Sequence, residues 1–299
     1  MNCLVTGATG LVGSNLAHEL VNHGDDVTIT CHEAEQPLPW FKGKRLYASF
    51  IGLDWDALGD VDVLFHQAAM NNTRELDRNE MMRANLHSSK LLFEKAIEHG
   101  CHHIVYASST AIYGRHPAPY HEEGPFDLNT PYAESKKLME EMANELAEKH
   151  PQVTFVGLRY CNVYGPGESH KGSRASMVHQ LIQQMPKGDP RLFKWGEQKR
   201  DYIYVKDVVR ANLAAAKAKE NAIVNCGSGT ATTFKRLMEI LNFELGLERT
   251  PQYFDNPYEG NYQDHTECDM SLAKQAIGFV PEWTIEAGIH DMIRELNLK

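Results

Sequence analysis

A tyrosine and a lysine four residues apart, Tyr132 and Lys136, are the first candidates for chemistry in this sequence. They begin a segment whose pattern predicts a helix to about residue 149, and residues at i and i+4 share one face of a helix. The lysine ammonium would then lie near the phenol, where its positive charge favours the phenolate and lowers the tyrosine pKa from about 10 towards neutrality. The pair is therefore a candidate general base. Ser109, at the end of a predicted strand, would orient a substrate oxygen.

A glycine-rich loop directly after the first predicted strand is the second candidate site. Glycines at positions 7, 10 and 13 let the chain turn tightly, let a pyrophosphate approach the backbone and let the next helix pack on the sheet. The helix N-terminus also favours negative charge. The pattern predicts a dinucleotide site formed by Gly7, Gly10, Leu11, Val12 and Gly13.

The end of the second predicted strand bears on the choice of cofactor. An NAD site usually has an acidic residue there to accept the ribose hydroxyls, but this sequence reads Cys31-His32-Glu33. Without a carboxylate at Cys31 a 2′-phosphate is not repelled, so we expect NAD or NADP with a preference for NADP, held by Cys31, His32 and the basic residues 42–45. Two alternatives stay open: Glu33 can bend back to the ribose, and residues 42–45 are also typical of a solvated turn.

The elements that must position these sites alternate between short apolar runs and amphipathic segments. The predicted segments of the first half are residues 3–6, 11–23, 27–31, 61–69, 80–99 and 103–109, and those of the second half include 153–160, 176–185, 202–205 and 223–226. This βαβ rhythm predicts an α/β fold, a Rossmann-type doubly wound parallel sheet with a smaller α/β substrate lobe. We expect the dinucleotide-binding domain at 1–164, with 201–230 returning to it, and the substrate-binding lobe at 165–200 and 231–299.

Composition excludes several classes of function. The 299 residues carry 30 basic and 40 acidic side chains, and the formal charge of -10 gives no general attraction to nucleic acid or anionic lipid. No run approaches the roughly 18 apolar residues of a membrane helix. The six cysteines form no C-x-x-C pair, so we expect reduced, packed thiols and no metal site. The N-terminus lacks the pattern of a signal peptide, which favours a cytoplasmic location.

The glycine loop, the serine at a strand end and the Tyr-x-x-x-Lys pair together resemble the extended short-chain dehydrogenase/reductase superfamily of nucleotide-sugar enzymes. The resemblance covers nearly the whole chain and implies a homo-oligomer. It implies cofactor contacts from Gln67, Ala68, Ala69, Asn85, Tyr132, Lys136 and Val163. It implies substrate contacts from Ser109, Asn162, Phe193 and Arg200, with the Arg200 guanidinium on the diphosphate. Arg200 paired with Asp201 is the structural alternative.

A narrower resemblance lies in residues 170–176, His-Lys-Gly-Ser-Arg-Ala-Ser. This string is similar to that of the ADP-glycero-manno-heptose 6-epimerase family, as is the segment 260–263. The resemblance implies that Tyr132 and Lys171 are an acid/base pair and that Ser173 and Tyr262 line the substrate site. Epimerisation through a ketone removes a hydride from one face and returns it to the other, so one base serves each substrate orientation. In the alternative, Lys171 is a surface lysine.

Two other functions remain open. The same scaffold could act on another sugar nucleotide, as a UDP-hexose 4-epimerase, a decarboxylase or a dehydratase, because fold does not separate these reactions. A 4,6-dehydratase needs further acid/base residues beside Ser109, and Thr110 and Ala111 offer none. The other alternative is a catalytically silent cofactor-binding regulator, which the presence of Tyr132 and Lys136 disfavours.

Overall fold

A seven-stranded sheet, parallel throughout, forms the centre of the molecule. The computed structural model describes residues 1–31, 38, 40–47, 52–71, 77–257 and 263–298, excepting the side chains of Tyr47 and Ser173. The strands are β1 (Asn2–Thr6), β2 (Asp26–Cys31), β3 (Lys44–Tyr47), β4 (Val63–His66), β5 (His103–Ser109), β6 (Thr154–Tyr160) and β10 (Ala222–Cys226). Their spatial order is β10-β6-β5-β4-β1-β2-β3, which confirms the predicted doubly wound Rossmann-type sheet.

Two smaller sheets extend from the carboxyl-terminal edge of this sheet. One has the order β11-β9-β7 and the other pairs β12 with β8. Their strands are β7 (Asn162–Tyr164), β8 (Arg191–Phe193), β9 (Lys199–Tyr204), β11 (Ala231–Thr233) and β12 (Gln252–Phe254). These short strands carry the candidate substrate residues Asn162, Phe193 and Arg200.

The helices follow the predicted rhythm. They are α1 (Leu11–Asn22), α2 (Trp55–Leu58), α3 (Arg78–Met82), α4 (Ser88–Glu98), α5 (Pro131–Lys149), α6 (Met177–Gln184), α7 (Val205–Ala215), α8 (Phe234–Leu245), α9 (Ser271–Ile277) and α10 (Ile285–Glu295). Helix α5 begins where expected because the Thr130 hydroxyl accepts a hydrogen bond from Ala133 N and Pro131 occupies its first turn. Among these helices of the described chain, none has the length and apolar composition needed to cross a membrane.

Two predicted elements differ in detail from the structure. The strand predicted over 61–69 covers only Val63–His66, since the following residues leave the sheet as a loop. The single helix predicted over 80–99 is divided by a π-helical turn at Arg83–His87. The Asn85 side chain in this turn exchanges two hydrogen bonds with the backbone of Met70, which holds the loop against the helix.

Both faces of the central sheet are covered by helices. Successive strand residues point to opposite sides, so Leu4 packs on one side with Met139 of α5, and Val5 packs on the other with Leu16 of α1. A third cluster, which includes Tyr164 and the inner faces of α6, α8 and α10, fills the region of the smaller sheets. Burial on both faces explains why the strands are continuous apolar runs.

His66 at the end of β4 makes folding sensitive to acid. Its ring nitrogens are each 2.8 Å from a buried hydroxyl, Nδ1 from Thr6 Oγ1 and Nε2 from Ser89 Oγ. Burial, with a smaller effect of the Lys136 charge, lowers the pKa of His66 from 6.5 to about 3. Between pH 6.5 and pH 3 the His66 imidazole is protonated in the unfolded chain but neutral in the folded chain. The stability of the folded protein with a neutral His66 is therefore fully present above pH 6.5 and is lost as the pH falls.

We therefore expect His66 to remove about 2–3 kcal/mol from the free energy of unfolding between pH 6.5 and 4.5. Chemical denaturation of the wild type and of His66→Gln at both pH values measures the difference. His102→Gln, which changes an exposed histidine, is the control and should retain the wild-type pH dependence. An unchanged pH dependence in His66→Gln would contradict this assignment.

Candidate active site

The structure brings the three candidate catalytic residues together at the carboxyl end of β5. Ser109 ends this strand and its Oγ accepts a hydrogen bond from Ala111 N at 3.1 Å, which begins a short 3-10 helix. Tyr132, in the first turn of α5, is hydrogen-bonded to Ser109. Lys136 follows one helical turn later, with Nζ 5.9 Å from the centre of the Tyr132 ring. A substrate hydroxyl placed between Ser109 and Tyr132 would contact both side chains.

The charge distribution at this centre differs from the prediction. Burial raises the pKa of Tyr132, with the hydrogen bond from Ser109 acting in the opposite direction, whereas the sequence predicted a lowered value. Burial also lowers the pKa of Lys136 to about 8, although the charge of Glu140 opposes that change. The lysine Nζ donates to the carbonyl oxygen of Ala107 at 2.7 Å, so its charge is directed to the backbone of β5. In the protein alone, desolvation outweighs the field of the lysine.

The glycine loop between β1 and α1 fits a dinucleotide pyrophosphate. Gly7 has a φ of 65°, and a Cβ at this position would lie 2.7 Å from Ala68 N. At Gly13 a Cβ would lie 2.2 Å from the carbonyl oxygen of Gly7. Gly10 precedes α1, which begins at Leu11 and Val12, and offers no side-chain cap to the helix. The backbone N–H groups of the first turn are thus left for an anion.

Gly13→Ala tests this loop. The added methyl group must displace the Gly7 backbone, so we expect weaker NAD or NADP binding and a loss of about 1–3 kcal/mol of stability, typical of overpacking. Calorimetric titration with each dinucleotide and chemical denaturation measure the two effects. Ser14→Ala, one residue further along α1, is the matched control. Wild-type affinity in Gly13→Ala would show that the loop does not hold the cofactor.

The loop after β4 is fixed by a set of partly buried polar contacts. Gln67 donates from Nε2 to Asn212 Oδ1 and accepts from Tyr160 OH, each at 2.9 Å. Ala68 N donates to Thr6 Oγ1 at 3.3 Å, and Ala69 is exposed beside it. The Gln67 amide is therefore hydrogen-bonded to other side chains of the protein. Ala68 and Ala69 place only methyl groups on the loop.

Asn85 and Val163, two further cofactor candidates, lie on different elements. Asn85 is 1% exposed and donates to Met70 O at 2.9 Å and to Ser135 Oγ at 3.1 Å. It joins the loop after β4 to the helix that carries Tyr132. Val163 is half-buried in β7, where it lies opposite Ile203 of β9.

The structure describes only part of the predicted ribose site. Cys31 is the last residue of β2 and is buried, whereas His32 and Glu33 lie outside the described residues. In the basic segment, Lys44 donates to the carbonyl oxygen of Ala57 in α2, and Arg45 donates to those of Leu38 and Phe41. Both residues begin strand β3, so they do not form the solvated turn of the alternative interpretation.

The predicted second base lies on a short 3-10 helix, Ser169–Arg174. Lys171 is half-buried, and its Nζ is 3.9 Å from Oε2 of the fully buried Glu168. Burial lowers the pKa of Lys171, and the charge of Glu168 opposes this effect. Ser173 is on the same helix, but its side chain lies outside the described structure, as does the whole of Tyr262.

Glu168 has a role that the sequence analysis missed. Its carboxylate accepts hydrogen bonds from Gly165 N at 3.2 Å, from Ser176 N at 2.6 Å and from Ser176 Oγ at 2.7 Å. These bonds connect both ends of the segment that carries Lys171. A carboxylate three residues before a lysine in a helical segment is the signal that could have identified it.

Asn162 and Arg200 are held on β7 and β9. Asn162 Nδ2 donates to Thr266 Oγ1 at 3.0 Å and to the carbonyl oxygen of Asp201 at 3.2 Å. The buried guanidinium of Arg200 lies 5.7 Å from the centre of the Phe234 ring and donates to Lys199 O at 2.7 Å. Arg200 and Asp201 are neighbours on β9, and neighbouring strand residues face opposite sides of a sheet. On its own side, the Asp201 carboxylate accepts hydrogen bonds from the backbone N–H groups of a turn at residues 228–229.

The remaining substrate candidate, Phe193, is half-buried on β8. Its ring centre is 4.9 Å from that of Phe254, its partner in the register of β8 and β12. The two rings pack edge to face, so aromatic side chains of both strands lie together on the sheet formed by β8 and β12.

Beneath Ser109, a buried ion pair ties α5 to the central sheet. Arg159 of β6 makes two hydrogen bonds to the Glu140 carboxylate, each at 2.8 Å, and a third to Tyr113 OH at 2.8 Å. Ser108 Oγ also donates to Glu140 at 2.6 Å. The hydroxyl of Thr110, beside Ser109, donates to a backbone carbonyl at 3.1 Å, so it offers no acid/base group there.

The chain segment between Ser109 and Tyr132 is held through the backbone of Tyr120 by residues 267–269. Tyr120 N donates to Glu267 O at 2.7 Å, and Tyr120 O accepts from Asp269 N at 2.9 Å. Asn225 at the end of β10 donates to the same carbonyl at 2.9 Å. The backbone of Tyr120 is therefore hydrogen-bonded both to the end of β10 and to residues 267–269, which are distant from it in the sequence.

Comparison with known proteins finds this architecture in sugar-nucleotide enzymes. The sequence profile of the NAD dependent epimerase/dehydratase family matches residues 3–227. The ADP-L-glycero-D-manno-heptose-6-epimerase of Alkalilimnicola ehrlichii is 34% identical over 317 residues, which cover 97% of this chain and 96% of that protein.

Two solved structures resemble the whole chain. The ADP-L-glycero-D-manno-heptose-6-epimerase of Helicobacter pylori aligns with a TM-score of 0.89 and 32% identity, over 99% of this chain and 96% of that chain. The UDP-glucose 4-epimerase of Thermotoga maritima, solved with UDP-glucose, aligns with a TM-score of 0.89 and 28% identity, over 99% of each chain. With the profile match over three quarters of its length, this chain belongs to the NAD-dependent epimerase/dehydratase family.

Proposed function

We propose that this chain is an ADP-glycero-manno-heptose 6-epimerase, which interconverts the D-glycero and L-glycero forms of its substrate. The observation that carries the proposal is the anchored segment around Lys171: buried Glu168 holds this lysine half-buried in the His-Lys-Gly-Ser string. The similarity to heptose epimerases over the full chain supports the same choice of sugar.

The residues divide the reaction between them. A nicotinamide cofactor bound at the glycine loop would supply the hydride acceptor and donor for the substrate carbon. In one direction Tyr132 takes the hydroxyl proton as the ketone forms, and Lys171 protonates the ketone oxygen when the sugar is reduced in the second orientation. The reverse reaction exchanges these two roles. Ser109 donates a hydrogen bond to the reacting oxygen, and the Arg200 guanidinium holds the diphosphate, while Asn162 completes this side of the site.

Proton NMR of ADP-D-glycero-manno-heptose with the purified protein, without added reductant, tests the function. We expect the L-glycero epimer to appear until equilibrium is reached. Conversion of UDP-glucose but not of the heptose would replace the proposal with a UDP-hexose 4-epimerase. Cofactor binding without conversion of either sugar would indicate a silent cofactor-binding protein.

Lys171→Met tests the second base. Loss of general acid/base catalysis lowers rates by about 10²–10⁴-fold, and we expect a fall in kcat of this order in the same NMR assay. Lys187→Met, which removes an exposed lysine after α6, is the control. A near-normal rate in Lys171→Met would remove Lys171 from the mechanism.

We also propose a preference for NADP over NAD. Its support is the buried Cys31 at the end of β2, where a carboxylate would repel a 2′-phosphate. Dissociation constants for both cofactors test it, and we expect Cys31→Asp to weaken NADP binding selectively. Tighter binding of NAD by the wild type would overturn the preference.

The proposal also includes the domain boundaries, the oligomeric state and the cellular location of the protein. We infer a dinucleotide-binding domain at 1–164 with 201–230, and a substrate-binding lobe at 165–200 and 231–299, which contains β8, β11, β12 and the helices of the third core cluster. We expect a cytoplasmic homo-oligomer that acts on a nucleotide sugar without nucleic acid or membrane partners. Light scattering and cell fractionation measure its oligomeric state and location.

A further inference from the structure

Two thiols that are 107 residues apart in the sequence meet beside the substrate side of the site. The Sγ atoms of Cys161 and Cys268 lie 2.7 Å apart. Cys161 directly follows β6 and precedes Asn162, whereas Cys268 belongs to the segment 263–268 that returns from the end of the chain. We propose that Cys161 and Cys268 form a reversible disulfide, with a peroxide as oxidant, that crosslinks this returning segment to the central sheet.

The backbone already holds both cysteines in place for this bond. Cys161 N donates to Cys226 O at 3.0 Å, and Cys268 N donates to Asp201 Oδ2 at 3.1 Å. Residue 268 also bridges to Tyr120. Because a disulfide forms only where the two side chains already approach each other, these anchors allow the bond without rearrangement of the sheet.

Exposure decides the order of the two chemical steps. Cys161 is half-buried and Cys268 is 3% exposed, so we assign the first step to Cys161, the less buried residue of the two. The Cys161 sulfur attacks the O–O bond to give a sulfenic acid and one water. The Cys268 sulfur then displaces the hydroxyl group, which forms the S–S bond and releases a second water. Burial raises the pKa of both thiols, so the reaction is slow at neutral pH.

A metal ion is the competing occupant of this cluster. Cys161, Asp201 and Cys268 offer ligand atoms within 4.8 Å of one another. The Asp201 carboxylate, however, already accepts hydrogen bonds from Ser228 N and Oγ at 2.6 and 2.7 Å, and from Gly229 N and Cys268 N at 3.1 Å each. A cation would have to displace these donors, whereas a disulfide leaves them in place.

Peptide mapping of the full chain, treated with hydrogen peroxide and then alkylated under denaturing conditions, tests the proposal without any substrate. We expect a crosslinked peptide pair joining Cys161 to Cys268, four alkylatable thiols in place of the six in the chain, and full recovery with dithiothreitol. The oxidised protein should also unfold at a higher temperature, because the crosslink restricts the unfolded chain. Unchanged alkylation of both thiols, or a crosslink through another cysteine, would overturn the proposal.

Two variants separate the steps. In Cys268→Ser the second step is lost, so a sulfenic acid should persist at Cys161 and react with a 1,3-diketone probe. Cys101→Ser, which removes a buried thiol elsewhere, should form the crosslink as the wild type does. Stoichiometric binding of zinc alone that protects both thiols and is lost in Asp201→Asn would instead assign a metal site.

Discussion

Replacing Tyr132 with phenylalanine is expected to lower kcat for sugar-nucleotide epimerisation by about 10²–10⁴-fold, the usual contribution of a general acid/base. The substitution removes one hydroxyl group and keeps the ring that packs beside Lys136. Cofactor affinity should fall far less than kcat, because Tyr132 is one of several predicted cofactor contacts and the glycine loop is untouched. The NMR rate and the dissociation constant of the cofactor, measured on the same sample, separate the two effects.

The control for this experiment removes a different phenol. Tyr253 is half-buried on β12, where it contacts the ring of Trp195 rather than Ser109. Tyr253→Phe should therefore keep a rate close to that of the wild type. A Tyr132→Phe enzyme with a comparable rate would mean that another group carries the proton.

The largest effect on stability is expected for Glu140→Ala. Glu140 is fully buried and is the partner of Arg159, which is 3% exposed. Removing one member of a buried pair leaves the other charge without compensation, at a cost of about 3–5 kcal/mol. The Ser108 hydroxyl loses its acceptor as well, and we expect disorder in the strand end that carries Ser109.

Chemical denaturation of Glu140→Ala and Glu141→Ala measures this cost against a neighbour on the same helix. Glu141 is exposed and pairs with Lys137 at 3.5 Å, so its loss should change stability by no more than about 1 kcal/mol. Equal unfolding midpoints for the two variants would show that the buried pair contributes little to folding.

The sequence was sufficient for the parts of the fold that depend on local pattern. The βαβ rhythm predicted the parallel sheet, and the strand over 103–109 has the predicted bounds. The i, i+4 spacing placed Lys136 beside Tyr132, because a helix fixes that relation locally. The glycine spacing likewise predicted a loop whose packing excludes side chains at two positions.

Features that depend on contacts between distant segments were out of reach. The π-helical turn at 83–87 accompanies bonds from Asn85 to Met70 and Ser135, which no helical period reveals. The Cys161–Cys268 contact joins segments that only the tertiary fold brings together. The pKa of Tyr132 was predicted in the wrong direction because its burial follows from packing and not from its neighbours in sequence.

The shared backbone position at Tyr120 has a consequence for biosynthesis. Residues 110–131 are translated long before Glu267 and Asp269, yet these later residues hold both the N–H and the carbonyl group of Tyr120. A ribosome-bound chain that ends before residue 267 has the seven central strands and the candidate residues Ser109 and Tyr132, but it lacks the bonds that hold Tyr120 in the segment between them. These bonds form only after residue 269 has been translated, so the segment that joins Ser109 to Tyr132 is fixed late in synthesis.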